Sequence, residues 1–354
     1  MEANLIQIKD LGAQLDGQPV LEITLSNAQA SVTLFSFGAT LQSFAIALPG
    51  FAKRDVVLGY PNWKDYQKTF DYSSNAYLGA IIGPIAGRIS KAHIPFKTES
   101  FQFEANEGQH LLHGGKTCFS NINWSLLSYE EQPYPQVTFI LETAACKIAL
   151  PGHLRAEVTY TLKEFELVIQ IKCIALEDTI ANPTQHAYFN PGGQQASILD
   201  SEVFLNTSRY IELNEDKLPT GVLKSIPQKD TEKELFLLSD FSQFPQIDNA
   251  FVLDPAHHQA ELIAQDGFRL KFSTNQPVFQ VYIGGEVDLT GKDGLRYHRY
   301  SGICLEQQAE PDAPNQENFS DIYLEKGREK TNLLQINFEQ VPWKLRLLSY
   351  SSSL

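Results

Sequence analysis

Apolar and polar residues alternate with a period of two over much of the chain. Val158, Tyr160 and Leu162 fall on every second position, the chain reaches Lys163-Glu164, and the pattern resumes as Phe165, Leu167, Ile169, Ile171 and Cys173. Successive side chains of an extended strand point to opposite faces, so this spacing predicts two half-buried strands joined by a hairpin. Val32, Leu34, Phe35 and Phe37 form another strand-like run, closed by Gly38, and Val137 to Leu141 reads as a further one. Strands are also expected at Val203 to Leu205, Tyr210 to Leu213, Phe279 to Ile283 and Leu334 to Phe338.

Helical signals are sparse. Residues 231–242 read as a short helix, but no segment combines a long amphipathic period with caps at both ends. The 22 glycines and 18 prolines are scattered, which supplies many turns. A (β/α)₈ barrel would need eight recurrent helices, so an all-β fold is expected instead. We read it as a large antiparallel β-sandwich whose strands pack two apolar faces together.

At 354 residues the length alone would allow two domains. With no internal repeat and no low-complexity linker, the expectation is one domain over residues 1–354. Hydrophobic residues make up 43% and charged residues 20%, as in a globular chain rather than a disordered one. The 42 acidic side chains outnumber 28 basic ones for a net charge of -14. That field repels nucleic acid and anionic membranes, and it gives no encouragement to a highly phosphorylated ligand. A neutral small molecule is indifferent to it. Met1-Glu2-Ala3-Asn4 shows no basic region leading into an apolar one, and no apolar run approaches the roughly 20 residues that cross a bilayer. Cys118, Cys146, Cys173 and Cys304 are too dispersed for a disulfide framework or a zinc knuckle, and read as incidental thiols. A soluble cytoplasmic protein is expected, and nothing in the pattern chooses between a monomer and a homodimer.

Three polar stretches interrupt the strand-like sequence. The first is Asn106-Glu107-Gly108-Gln109-His110-Leu111-Leu112-His113-Gly114-Gly115, where two glycines permit a tight turn that can aim the His113 imidazole into a pocket. The alternative is a histidine on a surface turn. The second is Asn182-Pro183-Thr184-Gln185-His186-Ala187-Tyr188-Phe189-Asn190. Here His186 is either functional or a hydrogen-bonded core histidine, and its aromatic neighbours form a sugar platform or fill a core. The third runs from Leu305 to Asn315, where Glu306 ends the apolar run Ile303-Cys304-Leu305. A carboxylate there requires a reason, catalytic or structural. Arg88, in Gly87-Arg88-Ile89, is a candidate whose bland alternative is pairing with a structural acid.

Taken in order, these stretches resemble the aldose 1-epimerase family, also called galactose mutarotases, from about Ala30 to Phe338. The resemblance includes Phe37-Gly38-Ala39-Thr40-Leu41, Asp55-Val56-Val57-Leu58-Gly59-Tyr60, Tyr66 and Gly87-Arg88-Ile89. It continues with His113-Gly114-Gly115, His186-Ala187-Tyr188-Phe189-Asn190, Asp248, Pro277 to Tyr282, and Leu305-Glu306-Gln307-Gln308 before Pro311-Asp312-Ala313. It implies the mutarotase type of sandwich and interconversion of the α and β anomers of a free aldohexose, galactose or glucose first. Glu306 then takes the proton of the C1 hydroxyl, and His186 protonates the ring oxygen as the bond from C1 breaks. His113 holds the ring-oxygen side, and Arg88, Asp248 and Gln280 bind sugar hydroxyls. Rotation about C1–C2 followed by the reverse transfers closes the other anomer. No metal, nicotinamide cofactor or covalent intermediate is implied, although two histidines and a carboxylate are also a possible metal set.

The sequence departs from the family around these positions. The family's Gly-Arg-x-x-Asn-Arg-Ile is here Gly83-Pro84-Ile85-Ala86-Gly87-Arg88-Ile89, which loses one arginine and the asparagine. His110 stands for an asparagine, Gln185 for an asparagine and Ala187 for a serine. Two other functions are weighed against anomer exchange. A phosphohexose epimerase would converge several Arg or Lys side chains beside Arg88. A non-catalytic carbohydrate-binding or sensor protein would have no need of Glu306 and His186 in opposed proton-transfer roles.

Overall fold

The computed structural model describes residues 5–15, 17–47, 53–68, 76–144, 148–226, 236–237 and 247–340. The alternating hairpin forms as Leu154–Leu162 and Glu166–Ala175, paired antiparallel from Leu154 opposite Ala175 to Leu162 opposite Leu167. Every second residue of both strands is buried, because one face lies on the core and the other does not. These strands sit within a nine-stranded antiparallel sheet ordered Ser125–Glu130, Gln136–Glu142, Leu154–Leu162, Glu166–Ala175, Glu329–Gln340, Phe268–Thr274, Ala260–Ile263, Glu202–Leu205 and Phe236–Leu237.

A second sheet has six strands, ordered Tyr188–Phe189, Ile303–Gln308, Val278–Tyr282, Asp248–Leu253, Thr207–Leu213 and Pro219–Ser225. Phe189, Phe251, Phe279, Val281, Ile303 and Leu305 of this sheet share one buried core with Ile169, Ile171, Leu270, Phe272, Leu334 and Ile336 of the larger one. Phe189 and Phe272 meet edge to face, with ring centroids 5.1 Å apart. The two sheets therefore stack as a sandwich. A third sheet, the meander from Ile6–Leu15 to Arg54–Asp55, adds five antiparallel strands. All the expected strands form. The Val32 run ends at Phe35, so Phe37 lies beyond the strand, in an isolated bridge with Asn123, and Gly38 lies in the turn.

The expected helix over 231–242 is corrected where it can be seen: Phe236–Leu237 is a strand paired with Phe204 and Leu205, and the rest lies outside the described residues. Tertiary pairing overrides a weak local propensity there. Among the described residues the α-helix is Trp63–Lys68, which the sequence pattern did not announce, and it is held by the buried rings of Trp63 and Tyr66. No helix among the described residues is long and apolar enough to cross a membrane. Cys118, Cys173 and Cys304 are buried free thiols, while Cys146 lies outside the described residues.

The Asp55 motif proves to be a structural tie. Asp55 Oδ2 accepts from Lys292 Nζ at 2.7 Å, and the same ammonium donates to the carbonyls of Gln42 at 2.7 Å and Val57 at 2.9 Å. Burial disfavours the charge on Lys292 and lowers its pKa, with Asp55 opposing. With all three donors used, the buried cation pins the meander to the loop at Lys292–Gly294.

Candidate active site

Strand alternation decides which side chains leave the core. In Ile303–Gln308, Ile303 and Leu305 enter the shared core, and Cys304 and Glu306 point to the opposite face. Gln280 lies directly across from Glu306 and Ala250 directly across from Gln280, so Gln280 and Asp248 emerge on that same face. On the other side of Glu306, Tyr188 is the register partner of Cys304. Continuing this antiparallel register by two residues sets His186 opposite Glu306.

The two short strands Arg88–Ile89 and Leu111–Leu112 pair, with Arg88 opposite Leu112, and so deliver Arg88 and His113 to the same place. His113 has φ of 53° and Gly114 φ of 80°. A Cβ on Gly114 would stand 2.8 Å from the Gly83 carbonyl oxygen. Glycine is required there both by conformation and by space. The His113 N–H donates to the Gly87 carbonyl at 3.1 Å, and the Gly87 N–H donates back to His113 Nδ1 at 3.2 Å. That bond occupies the Nδ1 lone pair, so the neutral ring carries its proton on Nε2.

Arg88, His113, His186, Asp248, Gln280 and Glu306 all line one cavity of about 520 Å³. His186 Nε2 lies 3.6 Å from Glu306 Oε1, and both residues are nearly inaccessible, at 4% and 2% exposure. The imidazoles of His113 and His186 stand nearly perpendicular with centroids 5.4 Å apart. Oε2 of Glu306 is buried and has no protein partner. Gln280 Nε2 donates to Asp248 Oδ1 at 2.8 Å. Arg88 is gripped by Glu107 through two bonds of 2.6 and 2.9 Å and approaches Asp248 at 3.5 Å.

Burial governs the electrostatics. It raises the Glu306 carboxyl well above the usual carboxylate range, with Asp248 adding to the shift and Arg88 opposing it. It lowers His186 to about 4, and it lowers His113 well below the ordinary histidine value, where His186 and Arg88 act in the same direction. For Arg88 burial works against the charge, but Glu107 and Asp248 outweigh it and hold the guanidinium above its usual pKa. One ligand atom from each of His113, His186 and Glu306 falls within 4.8 Å of the others, so this trio also has the compactness of a three-residue ion site.

The substituted neighbours belong to the framework. Gln185 donates to the Gly79 carbonyl at 3.0 Å and accepts from the Ala187 N–H at 2.6 Å, clamping the main chain on both sides of His186. His186 itself pairs through its main chain with Ala80 and Gly79. Ala187 is in the core, the Pro84 carbonyl accepts from Asn182, and His110 accepts from the Lys91 N–H. Only Gly87 among the altered positions lines the cavity. Tyr188 also lines it, whereas Phe189 fills the core, so the two aromatics divide the roles weighed for them.

Of the lining residues not singled out from sequence, three contact Arg88, His113, His186 or Asp248. Tyr77 places its ring 4.9 Å from that of His113 and 5.8 Å from that of His186, and no local signal marks it. Glu107 sits inside the polar stretch before His113, where a carboxylate beside an arginine-bearing strand was the available clue. Lys217 approaches Asp248 at 3.7 Å and Glu286 at 3.9 Å at the cavity's edge.

A family model described as aldose 1-epimerase matches residues 22–337, nearly the whole chain. The chain belongs to the aldose 1-epimerase family. Mouse galactose mutarotase is 31% identical over 339 residues, covering 91% of this chain and 95% of the mouse protein. The aldose 1-epimerase of Escherichia coli K12 is 29% identical over 341 residues, covering 91% and 96%. Among solved structures, the GalM/aldose epimerase homologue from C. elegans matches with a TM-score of 0.82 at 24% identity, over 91% of this chain and 99% of that one. Galactose 1-epimerase from Lactobacillus acidophilus NCFM gives 0.80 at 24% identity, over 94% and 98%. The fold is thus the mutarotase β-sandwich, and family membership marks the protein as an enzyme of the aldose epimerase type.

Proposed function

We propose that this aldose epimerase interconverts the α and β anomers of a free aldohexose, galactose or glucose first, in the cytoplasm and with residues 1–354 as one domain. Glu306 is the base at the C1 hydroxyl, His186 the acid at the ring oxygen, and His113 donates Nε2–H to the ring-oxygen side. Arg88, Asp248 and Gln280 bind hydroxyls. The observation that carries this reading is the 3.6 Å approach of His186 Nε2 to Glu306 Oε1 at the bottom of the cavity. A donor and an acceptor at that separation reach two neighbouring oxygens of one sugar ring at hydrogen-bonding distance.

The proton count explains why burial helps. A carboxylate with an imidazolium, and a carboxylic acid with a neutral imidazole, hold the same single proton between them. Ring opening moves the C1 hydroxyl proton to Glu306, forms the C1 carbonyl, breaks the bond from C1 to the ring oxygen and places the His186 proton on that oxygen. It therefore turns the charged pair into the neutral one. A buried site disfavours both charges, so it favours the arrangement reached on opening. Sugar hydroxyls donating to the partnerless Oε2 of Glu306 draw the pair into its charged form beforehand.

The charges in the cavity support a neutral sugar over a phosphorylated one. Among its described lining residues the cations are Arg88 and Lys217, against Glu107, Asp248, Glu286, Asp288 and Glu306. Arg88 is already held by two of these acids. The convergence of basic side chains that a phosphohexose epimerase requires is not met there. The proton-transfer roles above involve no metal, and stoichiometric metal on His113, His186 and Glu306 in the purified active protein would overturn that part. NMR anomer-exchange rates for free and phosphorylated hexoses test the substrate class: acceleration of free hexoses is expected, and acceleration confined to phosphosugars would refute it.

A further inference from the structure

The His113 ring is held through Nδ1 by the Gly87 N–H, but polar groups hold the His186 ring less firmly. Its Nε2 stands 3.6 Å from Glu306 Oε1, beyond an ordinary N–H···O bond, and its Nδ1 meets the sulfur of Cys304 at 3.6 Å, a weak partner. What packs on it is aromatic. The rings of Tyr77, His113 and Tyr188 lie at centroid distances of 5.8, 5.4 and 5.4 Å from it. Tyr77 also meets His113 edge to face at 4.9 Å, so Tyr77 and the two imidazoles close a three-ring cluster on the cavity wall. The backbone is bent to place the tyrosine ring there. Tyr77 has φ of 50°, a left-handed conformation that is costly for a bulky side chain and persists only where its surroundings impose it. The Ala80 N–H donates to the Tyr77 carbonyl at 3.1 Å and closes a turn. That turn is fastened to His186 on both sides: the Gly79 N–H donates to the His186 carbonyl, and the His186 N–H to the Ala80 carbonyl, each at 3.0 Å. The rings of Tyr77 and His186 therefore rise from one hydrogen-bonded frame.

We infer that Tyr77 is a positioning residue for the epimerase reaction: its ring fixes the His186 imidazole against that of His113 and keeps Nε2 aimed at Glu306 and the sugar. This rests on the assignment of His186 as the acid. An aromatic ring also attracts a cation within about 6 Å of its centroid, so Tyr77 favours the imidazolium that His186 must be before it protonates the ring oxygen. It thereby opposes burial, which lowers His186 to about 4, and acts in the same sense as Asp248. The other groups facing the imidazole are Glu306 and Cys304 from Ile303–Gln308, His113 from the turn after Leu111–Leu112, and Tyr188. All of them stay in place when the Tyr77 ring is removed.

The test uses the full chain and its Tyr77→Phe and Tyr77→Leu variants, with steady-state anomer exchange and with ¹⁵N-labelled imidazoles titrated in the absence of sugar. Tyr77→Asn is the ring-free variant if leucine unfolds the turn, because asparagine accepts positive φ. Thermal melts check the fold of each. Y77L is expected to lose about tenfold or more in kcat with a smaller change in KM, and its His186 midpoint to fall below that of the wild type. Y77F keeps the ring and is expected to recover most of kcat and the wild-type midpoint. Wild-type kcat in Y77L, a loss carried by KM alone, or an unmoved His186 midpoint overturns the inference. So does a folded Y77F that fails as Y77L does, since the hydroxyl and not the ring would then act. A wild type that accelerates no sugar refutes the proposed acid instead, and a lowered midpoint in Y77L still upholds the ring contact.

Discussion

His186 Nε2 and Glu306 Oε1 face each other across 3.6 Å in a site where neither residue is more than 4% exposed. Their closeness follows from the antiparallel register of Tyr188 with Cys304, and Ile303–Gln308, second in its sheet between Tyr188–Phe189 and Val278–Tyr282, is buried at every residue. On the proposed mechanism the pair works only while it holds one proton.

That condition sets the pH dependence. Burial lowers His186 to about 4 and raises Glu306 well above the usual carboxylate range. Below about pH 4 a second proton is bound, and Glu306 has no room for the C1 hydroxyl proton. Above the raised pKa of Glu306 the last proton leaves, and His186 has none to give. The profile of kcat/KM, which reports the free enzyme, should have its acid limb near 4. An acid limb centred on the ordinary histidine value of 6.5 would contradict this.

The same burial makes Glu306 a burden on stability. Its folded pKa is raised, so above the ordinary carboxylate value of 4.5 the unfolded chain releases a proton that the folded chain retains. Stability is therefore lost as pH climbs from that value through the folded pKa. Glu306→Gln should melt at a higher temperature than the wild type at pH 7, with the gap narrowing toward pH 4, while losing activity. Thermal melts at both pH values check it, and a gap independent of pH would disprove it.

Arg88 and Glu107 should separate binding from chemistry. Glu107 holds the guanidinium by two bonds and lies beyond the proton-transfer pair. In its proposed role Arg88 donates to the sugar, so in Arg88→Ala KM should rise by about tenfold or more with a smaller effect on kcat. Glu107→Ala leaves the donor in place but unanchored, and a milder rise in KM is expected. Steady-state kinetics of both variants decide the point, and a kcat loss at unchanged KM in R88A would place Arg88 in the chemical step.

Gly114→Ala probes the turn that aims His113. The new Cβ would press on the Gly83 carbonyl oxygen at 2.8 Å from a residue with φ of 80°. A cost of about 1–3 kcal/mol is expected, together with reduced turnover as His113 is displaced. Thermal unfolding and kinetics measure the two effects. Wild-type values for both would mean the turn has slack that the geometry does not suggest.

How much of this was legible in the sequence depends on the length of each element. Leu154–Leu162 and Glu166–Ala175 declared themselves because long half-buried strands repeat every two residues. Arg88–Ile89, Leu111–Leu112, Thr184–Gln185 and Tyr188–Phe189 are two residues each, too short for any period, and they exist only through tertiary pairing. Those are the pieces that carry Arg88 and flank His113 and His186. Glu306 was visible for the opposite reason: its strand is buried on both faces and reads as an apolar run in which a carboxylate is out of place. Asp248 and Gln280 came only from family resemblance, since nothing in their own strands distinguishes them. Cys304 read as an incidental thiol, and its place beside His186 depends on a cross-strand register that no single segment encodes.

The most direct measurement is NMR exchange between the anomers of free galactose and glucose at neutral pH, with the purified wild type and Glu306→Gln. The account predicts that the wild type accelerates exchange far beyond the spontaneous rate, and that the variant loses at least about a hundredfold of that activity while remaining folded. A wild type that leaves the spontaneous rate unchanged, or a variant that turns over as the wild type does, would contradict it.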